Sequence, residues 1–152
     1  MSMESLIKKL QNIMRGDDLS GTVQYLKQMI WMIFLKIYDA QEEKWELLED
    51  DYTSIIPEKL KWRNWAVDNN DGKALTGDEL IKFVNDTLIM GLKKLEVNEY
   101  TPKRHLIVWQ MFQDASNFMK NGTKLRQMIN ELNQKDFTNS TETHEFGDMY
   151  ES

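Results

Sequence analysis

Side chains able to do covalent or acid–base chemistry are few and scattered in this sequence. It has no cysteine and two histidines, His105 beside Lys103 and Arg104, and His144 in a polar stretch near the end. The lack of thiols removes disulfides, thiolate nucleophiles and cysteine-held zinc, and fits a reducing compartment. A histidine pair would require those two remote segments to fold back on each other. Carboxylates are abundant: residues 39–58 hold eight of them (Asp39, Glu42, Glu43, Glu46, Glu49, Asp50, Asp51, Glu58) against the single cation Lys44. Nothing in their spacing sets two in one apolar pocket where a proton would be retained, so the run is expected to be a solvated helix face. There is no glycine-rich strand-to-helix turn for a nucleotide or methyl donor, no Walker loop and no His-Glu-x-x-His. Asp68-Asn69-Asn70-Asp71-Gly72 has calcium-loop residue types out of register, with glycine at the fifth position and Lys73 at the sixth, so a turn is the better reading. No catalytic, cofactor or metal site is expected in this chain by itself.

The cations are better organised. Between Thr101 and Met128 five basic residues, Lys103, Arg104, Lys120, Lys124 and Arg126, stand against one acid, Asp114. Such a patch could meet a phosphate backbone within a larger assembly, or the same side chains could balance the acidic 39–58 run inside the fold. Arg15, in Arg15-Gly16-Asp17, reads as a salt-bridge partner. Over the whole chain 19 Lys and Arg against 25 Asp and Glu give a net charge of −6, which opposes autonomous attraction to a polyanion. The five residues are therefore candidate DNA-facing or subunit-facing positions.

The elements that must position these groups are helices. With 41% hydrophobic residues, two prolines and seven glycines in 152 residues, and apolar residues recurring at three and four, the chain reads as all-α, a compact helical bundle of about five to six helices with a flexible C-terminal linker. A first helix from about Ser5 to Met14 carries Leu6, Leu10, Ile13 and Met14, with Gly16 as its C-terminal cap and Asp17 or Asp18 capping the next. That next helix, about Ser20 to Leu48, is apolar nearly all round from Tyr25 to Tyr38 and is expected to be buried. Trp62 and Trp65, after Pro57, read as core in a short helix or turn. Thr76-Gly77-Asp78-Glu79 has the capping-box form and opens a helix to about Lys94, with Leu80, Val84, Leu88, Leu92 and Leu95 as its stripe. Thr101-Pro102, a capping hydroxyl followed by proline at the first helical position, opens another to about Met119, and after Asn121-Gly122, with Thr123 as cap, a last helix buries Leu125, Met128, Ile129 and Leu132. Thr138 to Thr143 is a linker by composition. The longest apolar run, Met29 to Leu35, is far shorter than the ~20 residues of a membrane span, and no secretory pattern opens the chain, so a cytoplasmic location is expected.

Ile13-Met14-Arg15-Gly16-Asp17-Asp18, followed by Ile33-Phe34-Leu35-Lys36-Ile37-Tyr38-Asp39, resembles the opening of the modification subunits of type I restriction-modification systems. Those typically carry a Leu-Arg-Gly turn and then a helix with a Phe-Leu-Lys core. Met14 stands where leucine is usual, and Ile37-Tyr38-Asp39 where Tyr-x-Ser-Asp is common. Ile56-Pro57-Glu58 and Trp62 look like the family's Pro-Glu and tryptophan segment, and Phe146-Gly147-Asp148-Met149-Tyr150-Glu151 is similar to the Gly-Asp-x-Tyr-Glu signature that leads into its catalytic domain. The matches run along almost the whole chain in the family's order.

The resemblance implies a helical N-terminal domain over 1–135, then a linker and the start of a methyltransferase domain over 136–152, so that the end at Ser152 is expected to be a truncated one. In the family the following domain binds S-adenosylmethionine through a glycine-rich loop and holds a flipped adenine with an Asn-Pro-Pro-aromatic motif. Neither motif occurs in this sequence, so no catalytic or cofactor residue is carried over. The implied role is accessory, helping to clamp DNA and assemble a specificity subunit, a second modification subunit and a restriction subunit. Two other readings compete: a stand-alone helical interaction module whose exposed Met and Trp side chains dock a partner helix, and a small metal-dependent or hydrolytic enzyme using the scattered carboxylates.

Overall fold

Helix formation begins at Ser2, whose hydroxyl accepts the Ser5 N–H at 3.1 Å and caps α1 (Met3–Arg15), so the helix starts a turn ahead of its apolar stripe. The computed structural model describes residues 2–68 and 74–137. Gly16 ends α1 in the right-handed region, and the left-handed residue of the turn is Asp18, at φ 65°. Neither Asp17 nor Asp18 caps α2 (Thr22–Leu48), where Gly21 at φ 85° stands without a side-chain bond. Asp17 is used elsewhere: one carboxylate oxygen accepts the backbone N–H groups of Lys120 and Asn121 at 2.6 and 2.9 Å.

After α2 come a 3₁₀ turn (Glu58–Leu60), α3 (Trp62–Trp65), α4 (Gly77–Lys82), a π turn (Phe83–Leu88), α5 (Ile89–Lys93), α6 (Lys103–Gln113) and α7 (Gly122–Gln134). No strand occurs among the described residues. The stripe Leu80, Val84, Leu88, Leu92 is fully buried, although its strict four-residue spacing would drift about 120° round an α-helix over three steps. The π turn, with its wider i→i+5 ring, takes out much of that drift and keeps the four side chains on the core.

Leu6, Leu10 and Met14 of α1 and Leu125, Met128, Ile129 and Leu132 of α7 are all fully buried, and the two helices pack together. Trp31, Phe34 and Phe112 form an aromatic centre between α2 and α6, with ring centroids 6.4 Å apart in each pair with Phe112. Trp62 and Trp65 are buried edge to face at 5.2 Å. Their indole N–H groups donate to Asn133 Oδ1 and the Leu60 carbonyl at 2.8 and 3.0 Å, so burial leaves neither donor unpaired.

Four expectations are corrected. The helix opened by Pro102 ends at Gln113 rather than near Met119. The fully buried Gln28 holds the next segment out of helix by accepting the Phe118 N–H at 2.6 Å and donating to Asn117 Oδ1 at 3.0 Å. The Thr101 hydroxyl accepts the Asn98 N–H instead of capping α6, and Pro102 itself takes the N-cap position. Asn121, not Thr123, caps α7 by accepting the Lys124 N–H. Thr76 stands at the N-cap of α4 but makes no cap bond, because Gly77 enters the helix at φ 58°, pressed against Gly122. The turn expected at 68–72, Asp68 apart, and the linker expected at 138–143 lie outside the described residues.

Candidate nucleic-acid and subunit interface

The five candidate cations fall into two groups once their partners are known. Arg104 makes a bidentate pair with Glu49, at 2.6 and 2.8 Å, and its guanidinium lies 4.9 Å over the Trp45 ring and 5.0 Å over the Tyr52 ring. Arg126 is half-buried and donates to the carbonyls of Leu75 and Ala66 at 2.6 Å each. Burial in that carbonyl nest lowers its pKa, with Asp68 acting the other way. A guanidinium committed to two main-chain oxygens closes the loop between α3 and α4. Lys103 and Lys120 are exposed and Lys124 is partly exposed.

Asp17 brings Lys120 and Lys124 to the α1–α2 turn. Its grip on the Lys120 and Asn121 N–H groups draws the start of α7 against Gly16, and Lys124 Nζ lies 3.0 Å from the point where a Cβ on Gly16 would sit. Arg15, one residue earlier, is exposed, and its side chain donates only to Asn12. The result is a basic edge of Arg15, Lys120 and Lys124 built from chain segments over a hundred residues apart in sequence. Sequence spacing carried no signal for including Arg15.

At the other end of α2 the acidic run is solvated in most of its members, with Glu43, Glu46, Asp50, Asp51 and Glu58 exposed, but not in two. Asp39 and Glu42 are buried, because α3 folds back onto α2 and sets Arg63 between Asp39 and Glu46, at 2.9 Å from each. Lys61, also buried, pairs with Glu58 and Glu46. Glu42 accepts the Tyr52 hydroxyl at 2.5 Å, while its other oxygen has no partner. Burial raises the pKa of Asp39 against the pull of Arg63, whereas the Arg63 hydrogen bond holds Glu46 below the usual carboxylate range.

His105 packs edge-on to Tyr52 at 5.8 Å and its Nε2 is buried without a partner. Burial, then the neighbouring Arg104 charge, lower its pKa against Glu42 and Glu49. The fold therefore prefers the neutral ring: its contribution is complete above the unfolded value, near 6.5, and is lost as pH falls through the lower folded value. The melting temperature of the wild type should fall from pH 7.5 to 5.5 by more than that of His105→Gln. Parallel pH profiles would remove this assignment.

Among the described residues no cluster of three His, Asp or Glu is arranged to hold a metal ion. A groove of about 180 Å³ between α2 and α6 is lined by Lys27, Ile30, Trp31, Gln110, Met111, Asp114 and Ala115. The unpartnered Trp31 indole N–H is shielded from solvent, so it cannot serve a ligand in that groove. No described helix is long and apolar enough to cross a membrane.

A family model for the HsdM N-terminal domain matches residues 3–132. The methylase subunit of the type I restriction enzyme EcoEI from Escherichia coli is 51% identical over 152 residues, which is 99% of this chain and 30% of that protein. Among solved structures, a modification subunit from Vibrio vulnificus YJ016 described as belonging to a type I restriction enzyme superposes with a TM-score of 0.80. It is 28% identical, over 97% of this chain and 33% of its own. A chain from a structure of complex assembly and conformational transition in the type I R-M system gives 0.72, also at 28% identity, over 95% of this chain and 29% of that one. The chain thus spans about a third of the length of the relatives it matches.

Proposed function

From the premise that this chain belongs to the HsdM N-terminal domain family, the N-terminal domain of type I restriction-modification modification subunits, we propose that it is a non-catalytic clamp module. Residues 1–135 form the module and 136–152 lead into the methyltransferase part of the subunit. The observation that carries this reading is the match over 3–132 in a chain that covers only 30% of its 51%-identical relative. Adenine methylation from S-adenosylmethionine belongs to the remaining length. The described residues are helices and turns, with no strand leading into a glycine-rich loop, so they do not fit that cofactor and no step is routed through it here.

In this reading the module works in the cytoplasm, beside a specificity subunit, a second modification subunit and a restriction subunit, and its basic edge faces the DNA backbone. Arg15, Lys120 and Lys124 supply that edge, with Lys103 as an outlying exposed cation. Arg104 and Arg126 are engaged by internal partners and lie outside that edge. Phosphate contacts of this kind position a duplex without reading its sequence.

The test is made in the assembled methyltransferase complex. Arg15→Glu, Lys120→Glu and Lys124→Glu together should weaken DNA binding at least about tenfold and lower the slope of log K against log salt by roughly 2 to 3, about one unit for each phosphate that is no longer neutralised. Unchanged affinity and slope would turn the edge into a subunit contact or a plain solvated surface. Arg126→Met serves as the contrast, lowering stability while leaving the salt slope of the folded protein alone.

A further inference from the structure

The far end of α2 is apolar and acidic at once. Leu47 and Leu48 are 87% and 81% exposed in its last turn. Neighbouring residues lie about 100° apart round a helix, so together they make a broad apolar tip. That turn holds no basic residue, and the C-cap is Glu49, followed by exposed Asp50 and Asp51, while one turn back exposed Glu43 is followed by the patch's one bordering cation on α2, exposed Lys44. A helix C-terminus already carries partial negative charge that cations normally offset. Glu46 and Glu49 have Arg63 and Arg104, whereas Glu43, Asp50 and Asp51 make no ion pair among the described residues.

One kind of occupant relieves both the exposed leucines and the unbalanced charge: an apolar side chain flanked by lysine or arginine. We propose that Leu47 and Leu48, rimmed by Glu43, Asp50 and Asp51, are the docking site for a basic amphipathic helix of another protein chain. The same acids repel an anionic membrane, and a second copy of this chain meeting it tip to tip would set acid against acid. The tip lies about a helix length, ~40 Å, from the Arg15–Lys120–Lys124 edge, so the two surfaces take different partners, and this site stands whether or not that edge meets DNA.

The 152-residue chain is titrated, in near-physiological salt, with a fluorescent amphipathic helix of leucine and lysine and with its leucine–glutamate counterpart. The lysine peptide binds and the glutamate peptide does not. Leu47→Ser with Leu48→Ser weakens the lysine peptide at least about tenfold, and Asp50→Lys with Asp51→Lys weakens it about threefold or more. Both leucines are exposed, so the double serine variant keeps the wild-type melting temperature, which separates a failure to dock from a failure to fold. Undiminished binding by that variant, equal binding of the two peptides, or self-association of the wild type that the serine variant abolishes, each overturns the proposal.

Discussion

Gly122→Ala is expected to lower the melting temperature by about 8–12 °C, corresponding to a loss of about 3 kcal/mol. A Cβ at Gly122 would overlap the Gly77 carbonyl oxygen and carbon and sit 2.6 Å from the Gly77 Cα. In an open helix the same change would gain roughly 0.5–1 kcal/mol from propensity, so the clash decides the sign. The atoms struck are main chain, and α4 cannot recede without unseating the fully buried Leu80. Gly91→Ala is the control. Its Cβ would meet only the end of the Leu60 side chain, at 2.8 Å, which can turn aside, so its effect should be under half as large. A Gly122→Ala protein melting within about 2 °C of wild type would mean that the α4–α7 crossing is looser than described.

Arg63→Met should cost about 3 kcal/mol at neutral pH, the lower end of what breaking a buried ion pair costs. The Asp39 side chain is 9% exposed and loses its cation, whereas Glu46, at 34%, falls back on water and Lys61. Burial already pushes the Asp39 pKa upward with Arg63 present, and removing the guanidinium pushes it further. A raised folded pKa means stability present at low pH and lost as pH rises through that value. The penalty of Arg63→Met should therefore shrink between pH 7 and pH 5, as Asp39 takes up its proton, and Asp39→Asn in the same protein should recover part of it at pH 7. Urea unfolding at the two pH values decides the matter. Equal losses at both would place the cost in packing rather than in charge.

What was legible in the sequence is what short-range periodicity encodes. Leu6, Leu10 and Met14 had to share a face, Leu80 to Leu92 had to share another, and two tryptophans after a proline had to be core. The misjudged features depend on partners remote in sequence. The stop at Gln113 depends on Gln28 reaching Phe118, 90 residues away, and on Asn117 returning the bond. A polar residue inside an apolar helix was the one available signal for it. Within a run that is otherwise solvated, Asp39 looked no different from its neighbours because Arg63 comes 24 residues after it, beyond any helical spacing rule. Among the five candidate cations composition gave the charge but not the commitment: Arg126 and Lys120 look alike in the sequence, yet one closes a loop through main-chain carbonyls and the other reaches solvent. The π turn had no composition signal, although the four-residue spacing of a buried stripe, held over three steps, was itself a sign that a regular α-helix would not serve.

Because α1 packs mainly against α7 and only lightly against α2, most of its apolar stripe has no partner until α7 has been synthesised. At ordinary elongation rates that wait is on the order of ten seconds, during which Leu6, Leu10 and Met14 are open to whatever is nearby. The α1–α7 seam therefore closes late in synthesis, and a pause in translation between the two helices lengthens the time for which that stripe stays open.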